Sequence, residues 1–347
     1  MDRLRPFSRF AIPSEGVPRP FAIVVTLAAA CLGIWLAFAY TTGDAIHYGA
    51  LYTQLEGASL ETIRVWQACL TSSTEPLFGP VYWLAAKSGL PRPWFIALAN
   101  ILLVGLLALW LWRHRAPWTT WLLVLSCYHL LVLLGSADRL KLAYIALLAG
   151  ALVPALWQKG ALLIAAAGLH FQSVMLIGAW IAGLVPRAVR EPAVRARLPL
   201  LMALAAIAGL AVAAFLALNW SWALVKIEAY GRRSEGLVET IDLLALIAVG
   251  VLAGRDRWRA LLTQLPLLVL SIPLGNSRLT IIGLSLLIVQ LVEERRSGHP
   301  AFIALMAYMS WKSIGFVAAV AAMGNGFGTR LTEPVMVTLE TCLQFFN

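Results

Sequence analysis

Charged side chains are scarce in this 347-residue sequence: Asp, Glu, Lys and Arg make up only 13% of it, against 61% hydrophobic residues and a mean hydropathy of +0.81. A soluble domain carries about a quarter charged residues to keep its surface in water, so this scarcity excludes the soluble globular class. No stretch between the apolar runs is long enough for a soluble domain, and no internal repeat or low-complexity tract is present. Also missing are a Walker A loop, a D-x-D pair, H-E-x-x-H and G-x-S-x-G. Their absence leaves nucleotide-driven pumping and metal-dependent transfer from a sugar nucleotide without support, and no metal or cofactor is expected. The four cysteines, Cys31, Cys69, Cys127 and Cys342, show no C-x-x-C spacing, and two of them fall within apolar runs. That pattern argues against both a metal site and a disulfide framework.

What is present is an all-α integral membrane protein. The runs 21–41, 93–112, 117–136, 140–157, 198–219 and 300–322 each supply roughly the 20 helical residues that a bilayer crossing needs. The first follows a tail, residues 1–20, that carries Arg3, Arg5, Arg9 and Arg19, and it runs on past any plausible cleavage point. It reads as an uncleaved first helix with a cytoplasmic N-terminus. The net charge of +10 reports topology before it reports nucleic acid, which is not an expected partner.

Basic clusters sit in the tail, at RHR (113–115), at Lys159, at PRAVREPAVRAR (186–197), at RDRWR (255–259) and at EERR (293–296). If all six face the cytoplasm, residues 160–185 must cross an even number of times. At about 1.5 Å per residue that segment is too long for one ordinary span and too short for two full ones. Two short helices meeting near His170 satisfy both limits. The same reasoning makes residues 260–292 a pair of short helices, with Gly275, Asn276, Ser277 and Arg278 at the turn. Non-helical backbone at membrane depth must be covered by protein or line a water-filled cavity, so two such turns predict an outward-facing cavity. About 11 crossings result, with a range of 10–12 and several short or re-entrant helices, in one polytopic domain over 1–347. One long tilted helix over 160–185 is the alternative. The longest outer loop, 42–92, holds an interfacial or re-entrant helix, and a second outer loop covers 220–239.

Ionisable groups within or beside spans are costly and therefore functional candidates. On the outer side this topology gathers Asp44, Tyr48, Glu75, Arg139, Lys141, His170, Gln172, Lys226, Arg232, Arg233 and Arg278. Arg139 and Lys141 stand at an outer helix mouth, where basic residues are disfavoured, and an anionic ligand would explain them. The structural alternatives are pairing with Asp138 or reaching to lipid headgroups. His170 is either a general base or a phosphate donor, against the alternative of a packed, hydrogen-bonded histidine. Glu75, before Pro76, either does chemistry or caps the helix that follows. Asp44 is a second carboxylate, with a solvated loop residue as its plain reading. Arg278 either meets the ligand or is buried in an ion pair with Glu75, Asp44 or Asp242. Lys312 and Arg330, near the last span, have no assigned role.

Four segments in this order carry a resemblance: TGDAIHY (42–48), TEPLFGPVYWL (74–84), DRLKLAYIALL (138–148) and GLHFQSVMLIG (168–178). Together with the later SRLTIIG (277–283), they resemble the EpsG-type branch of Wzy-like bacterial polysaccharide polymerases. There, a G-x-D with a following Tyr, an E-P helix, an N-x-x-R-Q-x-x-A segment and an F-H-x-S-A turn occur in the same order. The chain departs from that pattern at Arg139-Leu140-Lys141, in place of R-Q, and at His170-Phe171-Gln172-Ser173, which is one residue wider than H-x-S. Arg139, His170 and Glu75 therefore carry over best.

The resemblance implies a GT-C-like membrane glycosyltransferase of the bacterial inner membrane. Such an enzyme polymerises undecaprenyl-pyrophosphate-linked oligosaccharide repeats, for exopolysaccharide, capsule or O-antigen, on the periplasmic side. Its implied catalytic residues are His170, Glu75 and Asp44. Arg139, Lys141, Arg278, Gln172, Tyr48 and Arg232 would bind the pyrophosphate or the glycan, without metal or nucleotide sugar. Membrane lipids and chain-length or export proteins are its implied partners. A flippase of the same lipid-linked glycan is one alternative. It should show alternating access, often with pseudo-symmetric halves and charges near the midplane, whereas this chain has unequal helices and polar tips biased outward. A membrane acyltransferase is another, but it would want a histidine within reach of a cytoplasmic acyl donor.

Overall fold

The computed structural model describes residues 16–218, 237–274, 277–327 and Cys342. Among them every regular element is a helix. These are α1 (Arg19–Ala39), α2 (Asp44–Gly57), α3 (Ile63–Thr71), α4 (Phe78–Lys87), α5 (Arg92–Arg113), α6 (Trp118–Leu125), α7 (Tyr128–Gly135) and α8 (Asp138–Leu152). They continue as α9 (Leu156–Leu169), α10 (Gln172–Arg190), α11 (Pro192–Leu218), α12 (Leu237–Ala253), α13 (Arg257–Leu274), α14 (Ser277–Glu293) and α15 (Pro300–Met323). Four described helices, α1, α5, α10 and α15, are long and apolar enough to cross a membrane, or five spans if the bent pair α6 and α7 counts as one. The chain is thus an α-helical protein of membrane type. Of the polar residues singled out from the sequence, Lys226, Arg232, Arg233 and Arg330 lie outside the described residues, as do positions 1–15 of the tail and 220–236 of the expected second outer loop over 220–239.

Two compact units divide the described chain. One holds residues 113–120 and α10 to α14, in which α10 packs on α11 and α13, and α12 on α13 and α14. A side chain at Gly183 of α10 would collide with Thr263 of α13, so a residue without Cβ is what allows these two helices to touch. At one end of this unit the predicted basic clusters meet. Arg187 pairs with Glu191 and Glu293, Arg190 with Asp256, and Arg259 with Glu293 at 2.6 Å. PRAVREPAVRAR, RDRWR and EERR therefore share one side, as the topology argument required.

The other unit runs from α1 into α5, from Trp121 through α9, and from Met306 onward. Asn100 of α5 donates from Nδ2 to the Gly33 carbonyl of α1 (2.7 Å) and the Leu134 carbonyl of α7 (3.0 Å), tying three helices together inside a dry interior. The long loop 42–92 folds onto α5 as α2, α3 and α4, with α2 packed against both of the others. A core of Tyr48, Leu51, Leu55, Trp66, Phe78 and Tyr82 fills the space between them.

Three expectations change here. The predicted continuous helix over 117–136 is two helices bent by 44° at Ser126 and Cys127. Ser126 Oγ bonds back to the Leu122 carbonyl (2.7 Å), in competition with the helix ladder. Ser313 and Ser310 of α15 donate to the freed Ser126 and Leu123 carbonyls, at 2.6 and 3.3 Å. The run at 140–157 stops at Leu152, because Pro154 drives Val153 out of the helical region. The cysteine reading also fails, since Cys69 and Cys342 form a disulfide that closes 273 residues of chain. Spacing in the sequence cannot report a pair that far apart. Maleimide titration of the denatured protein should find two thiols, Cys31 and Cys127, before reduction and four after it. Four thiols before reduction would contradict the pairing.

Candidate functional site

The sequence of α8 begins Asp138-Arg139-Leu140-Lys141, and the helix turns those charges to different sides of its first turn. All three charged side chains are buried, Lys141 completely. A charge so placed must be paired and hydrogen-bonded to be tolerated. The structure supplies two separate sets of partners.

The first set converges on Glu75. Arg139 Nη1 donates to both Glu75 oxygens, at 2.8 and 3.0 Å, and Arg139 Nε donates to the Tyr48 hydroxyl at 3.0 Å. His170 Nδ1 lies 3.0 Å from Glu75 Oε1. The loop that carries Glu75 is fixed from both sides. Gln67 of α3 donates to the Glu75 carbonyl (3.0 Å), and the Leu77 amide donates to the Gly168 carbonyl of α9 (2.9 Å). A Cβ at Gly168 would come within 2.8 Å of the Leu77 side chain, so glycine is what lets the loop lie on the end of α9. His170 immediately follows α9, at the helix break that the topology argument predicted, although α10 beyond it is a full 19 residues long. Glu75 caps nothing: α4 starts without a side-chain cap bond. Arg139 pairs with Glu75 and not with its neighbour Asp138.

The second set surrounds Asp138. Its carboxylate receives Arg92 Nη2 (2.7 Å) and Lys141 Nζ (3.3 Å), together with the Tyr82 hydroxyl. Lys141 Nζ also donates to the Leu134 carbonyl at 2.9 Å, which places Lys141 on its structural reading as a partner of Asp138. Tyr82 and Tyr48 belong to one aromatic cluster with Phe78, so the two charged sets share a wall. Sequence reasoning missed Arg92 and Tyr82. Arg92 carried a signal, as a basic residue at the start of a long apolar run, whereas Tyr82 looks like any core aromatic.

Other expected residues stand elsewhere. Asp44 is exposed in the first turn of α2, where a carboxylate favours the positive helix end, and it makes no ion pair with a described residue. Gln172 opens α10, in the other compact unit. Arg278 is the second residue of α14, also in that unit, and its side chain lies outside the described residues. No cluster of metal-ligating side chains occurs among the described residues.

Chemically, the Glu75 group is a charge-neutralised carboxylate that orients a histidine. If Nδ1 carries the proton toward Glu75, the ring's other nitrogen, Nε2, is the basic one. The Nη2 nitrogen of Arg139 makes no hydrogen bond with a described residue, which leaves one end of the fork for a ligand. No family model matches the chain, and no curated protein and no solved structure matches it either.

Burial alone would raise the Glu75 carboxyl, but the Arg139 charge and the His170 contact outweigh it and hold the group well below the usual carboxylate range. A depressed carboxylate gives stability that is fully present above its unfolded value, about 4.3, and is lost only as pH falls toward the folded one. The stability difference between the protein and its Glu75→Gln variant should therefore be present at about pH 5 and shrink below about pH 4. Thermal unfolding followed by tryptophan fluorescence checks this. A difference that grows as pH falls below about 4 would contradict the assignment.

Proposed function

We propose that the chain is a membrane glycosyltransferase, a repeat-unit polymerase with a GT-C-like bundle of about 11 crossings, acting on undecaprenyl-pyrophosphate-linked oligosaccharide at the outer face of a bacterial inner membrane. The observation that carries the reading is the buried constellation of Glu75, Arg139, His170 and Tyr48. It unites three of the four segments on which the family resemblance rests, together with the tyrosine of the G-x-D segment. Orientation finds support in the Cys69–Cys342 pair, because disulfides persist on the oxidising side of a membrane. That side would hold both the 42–92 loop and the C-terminal end.

In the proposed reaction an acceptor hydroxyl attacks the anomeric carbon of the donor chain, and the bond to the lipid pyrophosphate breaks. Proton removal from the acceptor falls to His170, whose ring is aimed by Glu75. Arg139 faces the charge that develops on the departing phosphate through its uncommitted Nη2, help that is strongest in a site closed to water. The leaving group is already activated, so the reaction needs no nucleotide sugar. Glu75 also competes with the phosphate for Arg139. Substrate binding then loosens the Glu75–Arg139 pair and transfers part of that charge to the ligand. Arg92, Asp138 and Lys141 hold the first turn of α8 in place.

Purified protein in vesicles, supplied with a lipid-pyrophosphate oligosaccharide, should yield a ladder of longer chains on a gel. Arg139→Lys, which loses the fork but keeps the charge, should slow lengthening by about 100-fold, and His170→Ala by roughly 100-fold or more. A cognate substrate that gives no ladder, or ladders undiminished in both variants, would overturn the reading.

A further inference from the structure

The Glu75 group leaves one half-buried charge on an apolar helix unused. Lys312 is the thirteenth residue of the 24-residue span α15, about 18 Å along the helix from Pro300 and close to its middle. Half the thickness of a hydrocarbon core is about 15 Å, more than a lysine stem can cover by bending toward the headgroups. Its ammonium instead stands over the rings of Tyr128 (5.1 Å) and Tyr308 (5.6 Å). No described carboxylate pairs with it. Around it the surface is open: Tyr308, Trp311 and Ile314 are 46%, 67% and 67% exposed, and a side chain at Gly315 would meet nothing within 4 Å. The break between α6 and α7 lies at the same level, where Ser126 and Ser310 share a hydrogen bond at 2.9 Å. An isolated cation at this depth is costly in lipid, and such groups are almost always paired.

We propose that the Tyr308–Gly315 face of α15 docks a transmembrane helix of another protein, one with an Asp or Glu near the bilayer midplane that pairs with Lys312. Charge complementarity and depth define this partner. Lipid phosphates lie at the interface and do not reach the midplane. A second copy of this chain does not fit, because its described helices place no carboxylate at mid-length. Asp138 opens α8, Asp242 sits in the second turn of α12, and Glu293 closes α14. Gly315, where a side chain would meet nothing within 4 Å, permits close approach of a helix backbone.

The test uses the full chain in phosphatidylcholine vesicles with a synthetic Leu/Ala peptide of about 23 residues, long enough to span. The peptide carries one central Glu beside a diazirine-bearing leucine. After illumination, mass spectrometry should map adducts to residues 308–315. Lys312→Met, which keeps length and adds no charge, should lower the yield about fivefold or more, while Lys312→Arg should retain it. Replacing the peptide Glu by Gln should lower it similarly. Equal yields for Glu and Gln peptides, insensitivity to Lys312→Met, or cross-links between copies of the chain through this face would each overturn the proposal.

Discussion

The ion pair between Glu75 and Arg139 is the interaction on which the region around the 42–92 segment depends. It joins a loop carried between α3 and α4 to the first turn of α8, and through His170 it reaches the end of α9. Those segments are 64 and 95 residues from Glu75 in the chain, so no local preference could bring them together. Buried charge does so by penalty. An unpaired carboxylate or guanidinium away from water costs several kcal/mol, whereas a paired and hydrogen-bonded one is tolerated. One residue earlier, Asp138 repeats the arrangement with Arg92, Lys141 and Tyr82. The first turn of α8 is thus clamped on two sides by opposite means, since Arg139 is a cation seeking an anion and Asp138 an anion holding two cations.

This double clamp also fixes the register of the short helix that Pro154 cuts off within a longer apolar run. α8 has 15 residues and ends before Pro154, so its register is set by the charges at its start more than by its length. The aromatic cluster of Tyr48, Phe78 and Tyr82 walls the charges off from lipid and water and brings the two hydroxyls that complete them. Hydrophobic packing supplies the dry surroundings, and those surroundings make the hydrogen bonds strong enough to specify geometry. In the proposed mechanism the same dryness makes Arg139 effective toward a phosphate.

Much of this was legible in the sequence, for physical reasons that can be named. Long apolar runs identified α1, α5 and α15 almost to the residue, because the bilayer imposes length and composition together. Charge bias located the helix break at His170 and the shared end of three basic clusters. Glu75, Arg139 and His170 stood out as ionisable groups within or beside apolar sequence, although each also had a plain structural reading. Other features were hidden. The bend at Ser126 depends on serines of α15 far along the chain. Cys69 and Cys342 pair across 273 residues, which no spacing rule detects. Asp138 sits beside Arg139, and sequence adjacency suggested a pairing that helix geometry rules out, since neighbours on a helix point apart.

A double-mutant cycle on Glu75→Gln and Arg139→Met, read by equilibrium unfolding in detergent, measures the central interaction directly. If the buried pair organises the region, each single substitution should cost about 3 kcal/mol, because each strands the other partner. The double variant should then cost well under the sum, with a coupling of at least about 1.5 kcal/mol. Additive effects, within about 0.5 kcal/mol, would contradict the account.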